Sequence, residues 1–236
     1  MQYLAPVQAT LFIVSLVMFG GLLLWSLLTA NWRALVAVNH RWRMWVLAAC
    51  FLGLLWGFVG IGVELSFRVH PMLMSSMALI FGFRLSFVAG CISLLLSLLI
   101  VLTQLSQQPL QLAEVSNHVL WHNYAINGLL GVALPAGVTT FVLTCIAKIH
   151  VQNLFIYILG GGFVGGILSM LLVGGASLTV LTLFGEPSAQ LMMQNSHLFA
   201  LLLFPEGFCN GAIVSAVAVF APHWVKTYDH DFYLKE

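Results

Sequence analysis

Charged residues are the class of side chain that this sequence has least of. Asp, Glu, Lys and Arg make up 6% of its 236 residues, whereas hydrophobic residues make up 61%. Soluble domains carry roughly a quarter of their residues as charges, so this composition excludes an ordinary soluble fold. The formal net charge is +1 at pH 7 and no basic stripe occurs, so we expect no nucleic-acid partner.

Nucleotide motifs and paired cysteines are missing as well. No P-loop or related sequence occurs, so we expect no nucleotide on this chain. No Lys or Arg precedes the first apolar run, which is longer than that of a secretory signal, so we expect Met1 to be the outward-facing terminus. The spacing of the cysteines pairs none of them, and we expect them to be small packing residues within helices: Cys50, Cys91, Cys145 and Cys209.

Long apolar runs are what the sequence has in abundance. The mean hydropathy is +1.03, and runs long enough to cross a bilayer recur along the whole chain. We therefore expect an all-α membrane protein in which residues 1–236 form a single polytopic membrane domain. About seven transmembrane helices are predicted, at residues 5–29, 44–63, 70–83, 86–105, 124–146, 154–184 and 198–222.

The distribution of Lys and Arg predicts the orientation, because cytoplasmic loops of membrane proteins are enriched in both. With the amino terminus outside and the carboxyl terminus inside, only Arg68 of the eight basic residues lies outside. We expect a multi-pass protein of the bacterial cytoplasmic (inner) membrane, in contact with its lipid. The seven basic residues predicted to lie inside are Arg33, Arg41, Arg43, Arg84, Lys148, Lys226 and Lys235.

The stretch 71–104 decides the number of spans. A single helix there would bury Arg84 in the middle of the membrane, at a cost of at least a few kcal/mol. A break at Gly82 and Phe83 avoids this cost and keeps the later positive loops inside. The piece 71–83 is then roughly 20 Å of helix, so it must begin earlier, tilt, or be partly re-entrant.

Histidines, a carboxylate and methionines gather on the predicted outer side. Glu114, His118 and His122 have the spacing i, i+4, i+8, which places them on one face of a helix. Imidazoles and carboxylates suit divalent first-row metals, and thioethers favour Cu(I). The alternative to metal binding is that each histidine lies at the membrane interface and each methionine packs in the apolar core. The others on this side include His70, Met72, Met74, Met77, Met192 and Met193.

Two polar positions fall inside predicted spans. Glu206 follows Pro205 in the last span, with Asn210 one turn further on, and Asn127 lies near the outer end of the fifth. An ionisable residue at such a depth indicates a functional site, yet polar groups also hold neighbouring helices together. Both roles stay open for Asn127 and Glu206.

Three segments resemble one transporter family. They are Val69–His70–Pro71 running into MLMSSMALIFGFRLSF, NYAINGLLGVALPAG from Asn123 to Gly137, and FPEGFCNGAIVSAV from Phe204 to Val217. In order and at similar intervals, they resemble the substrate-capture (CbiM/NikM-type) subunits of energy-coupling-factor cobalt and nickel transporters. The resemblance covers roughly residues 65–222, and seven helices with an outer amino terminus agree with it.

The resemblance implies a permease subunit, not an enzyme, that takes up a transition-metal ion from the outer face. Its partners would be a separate energy-coupling transmembrane protein and cytoplasmic ATPase subunits. Family members begin with Met-His, and the terminal amine, that His and a loop His hold the metal. Here the loop His is His70, but Gln2 stands in the place of the second imidazole.

The expected metal ligands are therefore Met1 and His70, with His118 or His122 from the next outer loop replacing the missing imidazole. Nickel, cobalt and copper all stay open as the substrate ion. Other classes also stay open: a membrane metal-trafficking or assembly factor, or an energy-coupling subunit for an organic micronutrient. A membrane di-iron oxygenase is disfavoured, because the sequence has no adjacent His-His pairs.

The charge asymmetry makes a prediction about topology. Cysteine-accessibility mapping should label residues 107–120 and 186–197 from outside, and residues 147–153 and the tail from 226 only from inside. Finding both chain termini on the same side of the membrane would contradict seven spans.

Overall fold

The computed structural model describes residues 2–5, 7–63, 66–107, 117–148 and 153–228, and only the backbone of residues 117–119. Its helices are α1 (Ala9–Thr29), α2 (Trp32–Ala37), α3 (Arg41–Phe58), α4 (Met74–Phe81), α5 (Phe83–Ser106), α6 (Asn117–His122), α7 (Tyr124–Lys148), α8 (Leu154–Leu183), α9 (Ser188–Gln194) and α10 (Ser196–Phe220). The strands are β1 (Gln2–Tyr3), β2 (Ile61–Val63) and β3 (Phe67–Val69), and a 3-10 turn covers Pro222–Trp224.

Five of the described helices are long and apolar enough to cross a membrane: α1, α5, α7, α8 and α10. The prediction of an all-α membrane protein is confirmed at this level. Two of the seven predicted spans differ from those five. The span at 44–63 corresponds to the 18-residue helix α3, and the span at 70–83 contains a helix of only 8 residues, α4.

The predicted break before Arg84 lies at Gly82. This residue has φ +79°, a conformation that glycine adopts without strain, and it separates α4 from α5. The two helices then run antiparallel. The Ser86 hydroxyl donates to the carbonyl of Met77 at 2.5 Å, and Met74 packs against Gly90.

Helices α3 and α5 run in the same direction. Gly53 lies against Leu96, and four residues later Gly57 lies against Ile100. Parallel neighbours require the chain to return between them, and the segment from β2 to α4 makes that return. At one end of α3, the ring of His70 contacts that of Trp56 at an angle of 36°. At the other end, Arg41 donates to the carbonyl of Ile80 at 3.1 Å.

A small antiparallel sheet covers the end of the bundle where α3 ends. Its order is β1-β3-β2, with Gln2 opposite Arg68 and Ile61 opposite Val69. The amino-terminal strand β1 is buried, and the Gln2 amide donates to the hydroxyl of Ser97 at 2.7 Å. Ser97 is about 14 Å from the end of α5, so the strand inserts into the bundle.

Helix α8 packs closely on α10 through glycines. A Cβ atom on Gly162 would lie 2.9 Å from Cα of Gly211, and one on Gly166 would lie 3.0 Å from Cα of Gly207. Backbones approach this closely only where side chains are absent. A π-helical stretch within α8, Tyr157–Val164, contributes to the same contact.

The cysteines are free thiols, as expected, but only one of them is a packing residue. Cys91 is buried in α5. Cys50, Cys145 and Cys209 are exposed on the outsides of their helices, so the expectation that they fill interior space is wrong.

The glycine contacts predict opposite effects of one substitution at two sites in α8. Gly162→Ala should lower the free energy of unfolding by about 1–3 kcal/mol, because the added methyl group meets backbone. Gly175→Ala is the matched control: no atom lies within 4 Å of its Cβ position, so alanine should be neutral or stabilising by up to about 1 kcal/mol. Thermal unfolding in detergent measures both, and equal effects would refute the close helix contact.

Candidate functional site

The amino-terminal strand is held in the bundle by an asparagine of α7. The backbone N–H of Tyr3 donates to Oδ1 of Asn127 at 2.7 Å, and Nδ2 of Asn127 donates back to the carbonyl of Tyr3 at 3.2 Å. Asn123 donates to the carbonyls of Tyr3 and Ala5. These side chains replace the neighbouring strand that β1 lacks, so its buried backbone groups are satisfied. Asn127 therefore fixes the position of Gln2.

His70 lies directly after strand β3, with only 2% of its surface exposed. Its ring centroid is 5.2 Å from that of Trp56, and Nδ1 lies 3.2 Å from the carbonyl of Pro71. A carbonyl only accepts, so Nδ1 carries the hydrogen and Nε2 presents its lone pair. Metal-binding histidines are commonly held in this way, with the second ring nitrogen bonded to a backbone carbonyl.

The buried polar atoms around the sheet that make no hydrogen bond within the described residues include Nε2 of His70, Oε1 of Gln2 and Nε1 of Trp56. Such orphaned groups are uncommon, and each one costs about 1–3 kcal/mol when nothing satisfies it. A lone-pair nitrogen and an amide oxygen are both metal-ligand types. His70 and Gln2 are therefore the donors that this region offers to a cation.

The other predicted ligands are placed differently. His122 stacks on Phe12 of α1 with the ring centroids 3.6 Å apart, whereas His70 rests on α3. Met1, Glu114 and the side chain of His118 lie outside the described residues. Within the described part of the chain, no group of three His, Cys, Asp or Glu side chains is arranged to hold a metal ion. The predicted ligand set is thus represented there by His70, in the loop after β3, and His122, at the end of α6.

The carboxylate of Glu206 caps the amino terminus of α4. Oε2 accepts the backbone N–H of Met72 at 2.8 Å, and Oε1 accepts that of Leu73 at 2.7 Å. Leu73 has φ +53°, which turns the chain into the helix at this point. Helix amino termini leave N–H groups without partners and favour negative charge, so the carboxylate meets both requirements.

Asn210 extends this cap by one turn. Its Nδ2 donates to Oε1 of Glu206 at 2.8 Å, and its Oδ1 accepts both the backbone N–H and the hydroxyl of Ser76 at 2.7 Å. A second polar cluster follows along α4, where the hydroxyl of Ser75 donates to Ser169 at 3.1 Å and accepts from Thr139 at 2.8 Å. Buried polar groups thus line α4 from its start.

Glu186 has a related position at a different helix. It is buried, and Oε1 accepts the N–H of Gln8, the residue before α1, at 2.6 Å. The two carboxylates in the described part of the chain therefore both act at the amino terminus of a helix: Glu186, from the loop before α9, at α1, and Glu206, from α10, at α4.

The methionines that the sequence predicts on the outer side are mainly core residues. Met72, Met74, Met77 and Met192 are buried, and Met193 is exposed. Sequence reasoning missed Trp56 and Ser97, which surround His70 and Gln2 from α3 and α5. In the sequence, Ser97 is a hydroxyl within an apolar run. Such a serine usually bonds to the backbone of its own helix, so the sequence does not distinguish it from an ordinary helical serine.

Comparison with known proteins adds no relative: no protein-family model, no curated protein and no solved structure matches this chain. The class of protein is therefore given by the fold alone, a helical membrane protein with several apolar helices.

The cap predicts the stability of Glu206 variants. In Glu206→Gln the amide nitrogen cannot accept, so one N–H of the pair Met72 and Leu73 loses its partner, at a cost of about 1–3 kcal/mol. Glu186→Gln is the matched comparison and should cost less, because one amide oxygen suffices for the single N–H of Gln8. Thermal unfolding in detergent measures the difference. Unchanged stability of Glu206→Gln would contradict the cap.

Proposed function

We propose that this protein is a membrane permease subunit that captures a transition-metal ion at its buried amino-terminal strand. The observation that carries the proposal is His70, whose Nδ1 bonds to a backbone carbonyl while Nε2 is buried without a partner among the described residues. A neutral imidazole held in this tautomer is a nitrogen ligand for a first-row metal.

The amino-terminal strand supplies the second element of the proposed site. Gln2 is fully buried, with its Nε2 bonded to Ser97 and its Oε1 left without a partner in the described part of the chain. An amide oxygen is a harder donor than an imidazole, so the metal preference differs from that of a site with two histidines. Met1, with His118 or His122, completes the ligand set that we propose for nickel, cobalt or copper.

We further propose seven passages through the membrane, with the amino terminus outside and the carboxyl terminus inside. The parallel arrangement of α3 and α5 supports this number, because residues 70–81 must run back between them. This passage starts with non-helical backbone, and Glu206 accepts the N–H groups of Met72 and Leu73 there. Non-helical backbone at membrane depth is tolerated only where protein covers it, which suits this arrangement.

ATP-driven uptake requires partners, since the sequence has no nucleotide-binding motif. The proposed partners are an energy-coupling transmembrane protein and cytoplasmic ATPase subunits, and the proposed location is the bacterial inner membrane. Helices α1 and α3 have outward faces rich in exposed apolar side chains, which are available to lipid or to a partner helix: Ile13, Val17, Leu28, Leu47, Phe51 and Phe58.

The proposed site predicts how metal affinity responds to substitution. His70→Ala should weaken the binding of Ni²⁺ or Co²⁺ by about tenfold or more, because a direct nitrogen ligand is lost. Gln2→His should strengthen Ni²⁺ binding, because it supplies a second imidazole. Isothermal titration of the detergent-purified protein with each metal salt measures both changes.

His197→Ala is the matched control, because this imidazole is exposed at the start of α10. It should leave the affinity unchanged. Loss of affinity in His197→Ala equal to that in His70→Ala would mean that the metal binds nonspecifically to surface histidines. No response to either His70→Ala or Gln2→His would refute the amino-terminal site.

A further inference from the structure

A lateral groove runs between helices α1, α7 and α8. It has a volume of about 510 Å³, and its walls are apolar. The one hydroxyl on the wall, that of Ser15, donates to the carbonyl of Phe12 at 2.9 Å and so needs no other partner. The residues that define its length and walls are Leu11, Met18, Leu22, Leu130, Val138 and Val180.

The depth of this groove indicates the kind of occupant. All three helices are long and apolar enough to cross a membrane, and the groove follows α1 from Leu11 to Leu22, about 17 Å along the helix axis. At this depth the surrounding solvent is hydrocarbon. A groove without free polar groups offers nothing to a water-soluble ligand, but it matches an acyl chain.

One end of the groove adjoins a cation. Phe83 lines the groove, and the next residue is Arg84, whose side chain is exposed. The guanidinium lies 4.7 Å from the ring of Trp25 and donates through Nη1 to the carbonyl of Thr29 at 2.7 Å. A guanidinium has five N–H donors, so several are left for an anion.

Two more cations lie at this end of the bundle. Arg41 and the backbone N–H of Lys226 both donate to the carbonyl of Ile80, and the Lys226 side chain packs against Gly82. Burial lowers the pKa of Lys226, and the charges of Arg41 and Arg84 lower it further. The two carboxylates of the described residues are bonded to other helices, so they do not balance this charge.

We propose that the groove and these cations form a binding site for an anionic phospholipid. The acyl chain lies in the groove between α1 and α7, and the phosphate accepts hydrogen bonds from Arg84, with Lys226 adding positive charge. The apolar channel and the cations are adjacent along α1, since Trp25 and Thr29 follow Leu22 by one and two turns. A zwitterionic lipid matches the groove but not the charge.

Native mass spectrometry of the detergent-purified protein, titrated with phosphatidylglycerol or phosphatidylcholine of identical acyl chains, tests the site. We expect tighter binding of phosphatidylglycerol. Arg84→Gln should weaken it about tenfold, the size of one charged hydrogen bond, and leave phosphatidylcholine unaffected. Arg43→Gln is the matched control, because this exposed guanidinium rests on the ring of its own neighbour, Trp42, and should change neither affinity.

Ala176→Phe tests the groove separately. Ala176 lines it without being fully buried, so a phenyl ring there should fill the channel and weaken both lipids while the unfolding temperature stays unchanged. Equal effects of Arg84→Gln and Arg43→Gln would overturn the headgroup site. Unchanged lipid binding in Ala176→Phe, or a dimer that forms in place of lipid binding, would overturn the acyl-chain site.

Discussion

The rest of this structure depends on the bond between Glu206 and the amino terminus of α4. Helix α4 begins inside the bundle, where no water satisfies the N–H groups of Met72 and Leu73. The two carboxylate oxygens of Glu206 accept one each, and Asn210 accepts the next from Ser76. Without these acceptors, N–H groups at the start of the 8-residue helix would be buried without a hydrogen bond in an apolar interior. Because the acceptors are on α10, α4 and α10 must fold together.

The same bond sets the position of the polar groups around the amino-terminal strand. His70 precedes Met72 by two residues, and strand β3 precedes His70 directly. Fixing residues 72 and 73 on α10 therefore fixes the imidazole against Trp56 and the edge on which β1 pairs. Asn127 holds the opposite side of β1. The two polar positions inside predicted spans, Asn127 and Glu206, thus bond backbone groups of the segments on either side of His70.

Sequence reasoning identified His70, Asn127 and Glu206 as important but did not predict their partners. A carboxylate that follows a proline within an apolar span indicates a buried polar site, but the local sequence does not show which helix it caps. Glu206 and Met72 are 134 residues apart, and Asn127 and Tyr3 are 124 apart. Gln2 was expected only as the residue that replaces a ligand. Its complete burial depends on the sheet and on Ser97, and no local pattern reports either.

Composition and charge placement by themselves determined the membrane class and the break at Gly82, because each follows from properties of neighbouring residues. An apolar run, or a charged residue at the centre of one, indicates the same local structure in any fold. Tertiary structure decided that α4 begins only at Met74, that α3 and α5 are parallel, and that Glu206 is a cap. These features arise from hydrogen bonds between distant segments, which form only where the interior leaves a buried donor without water.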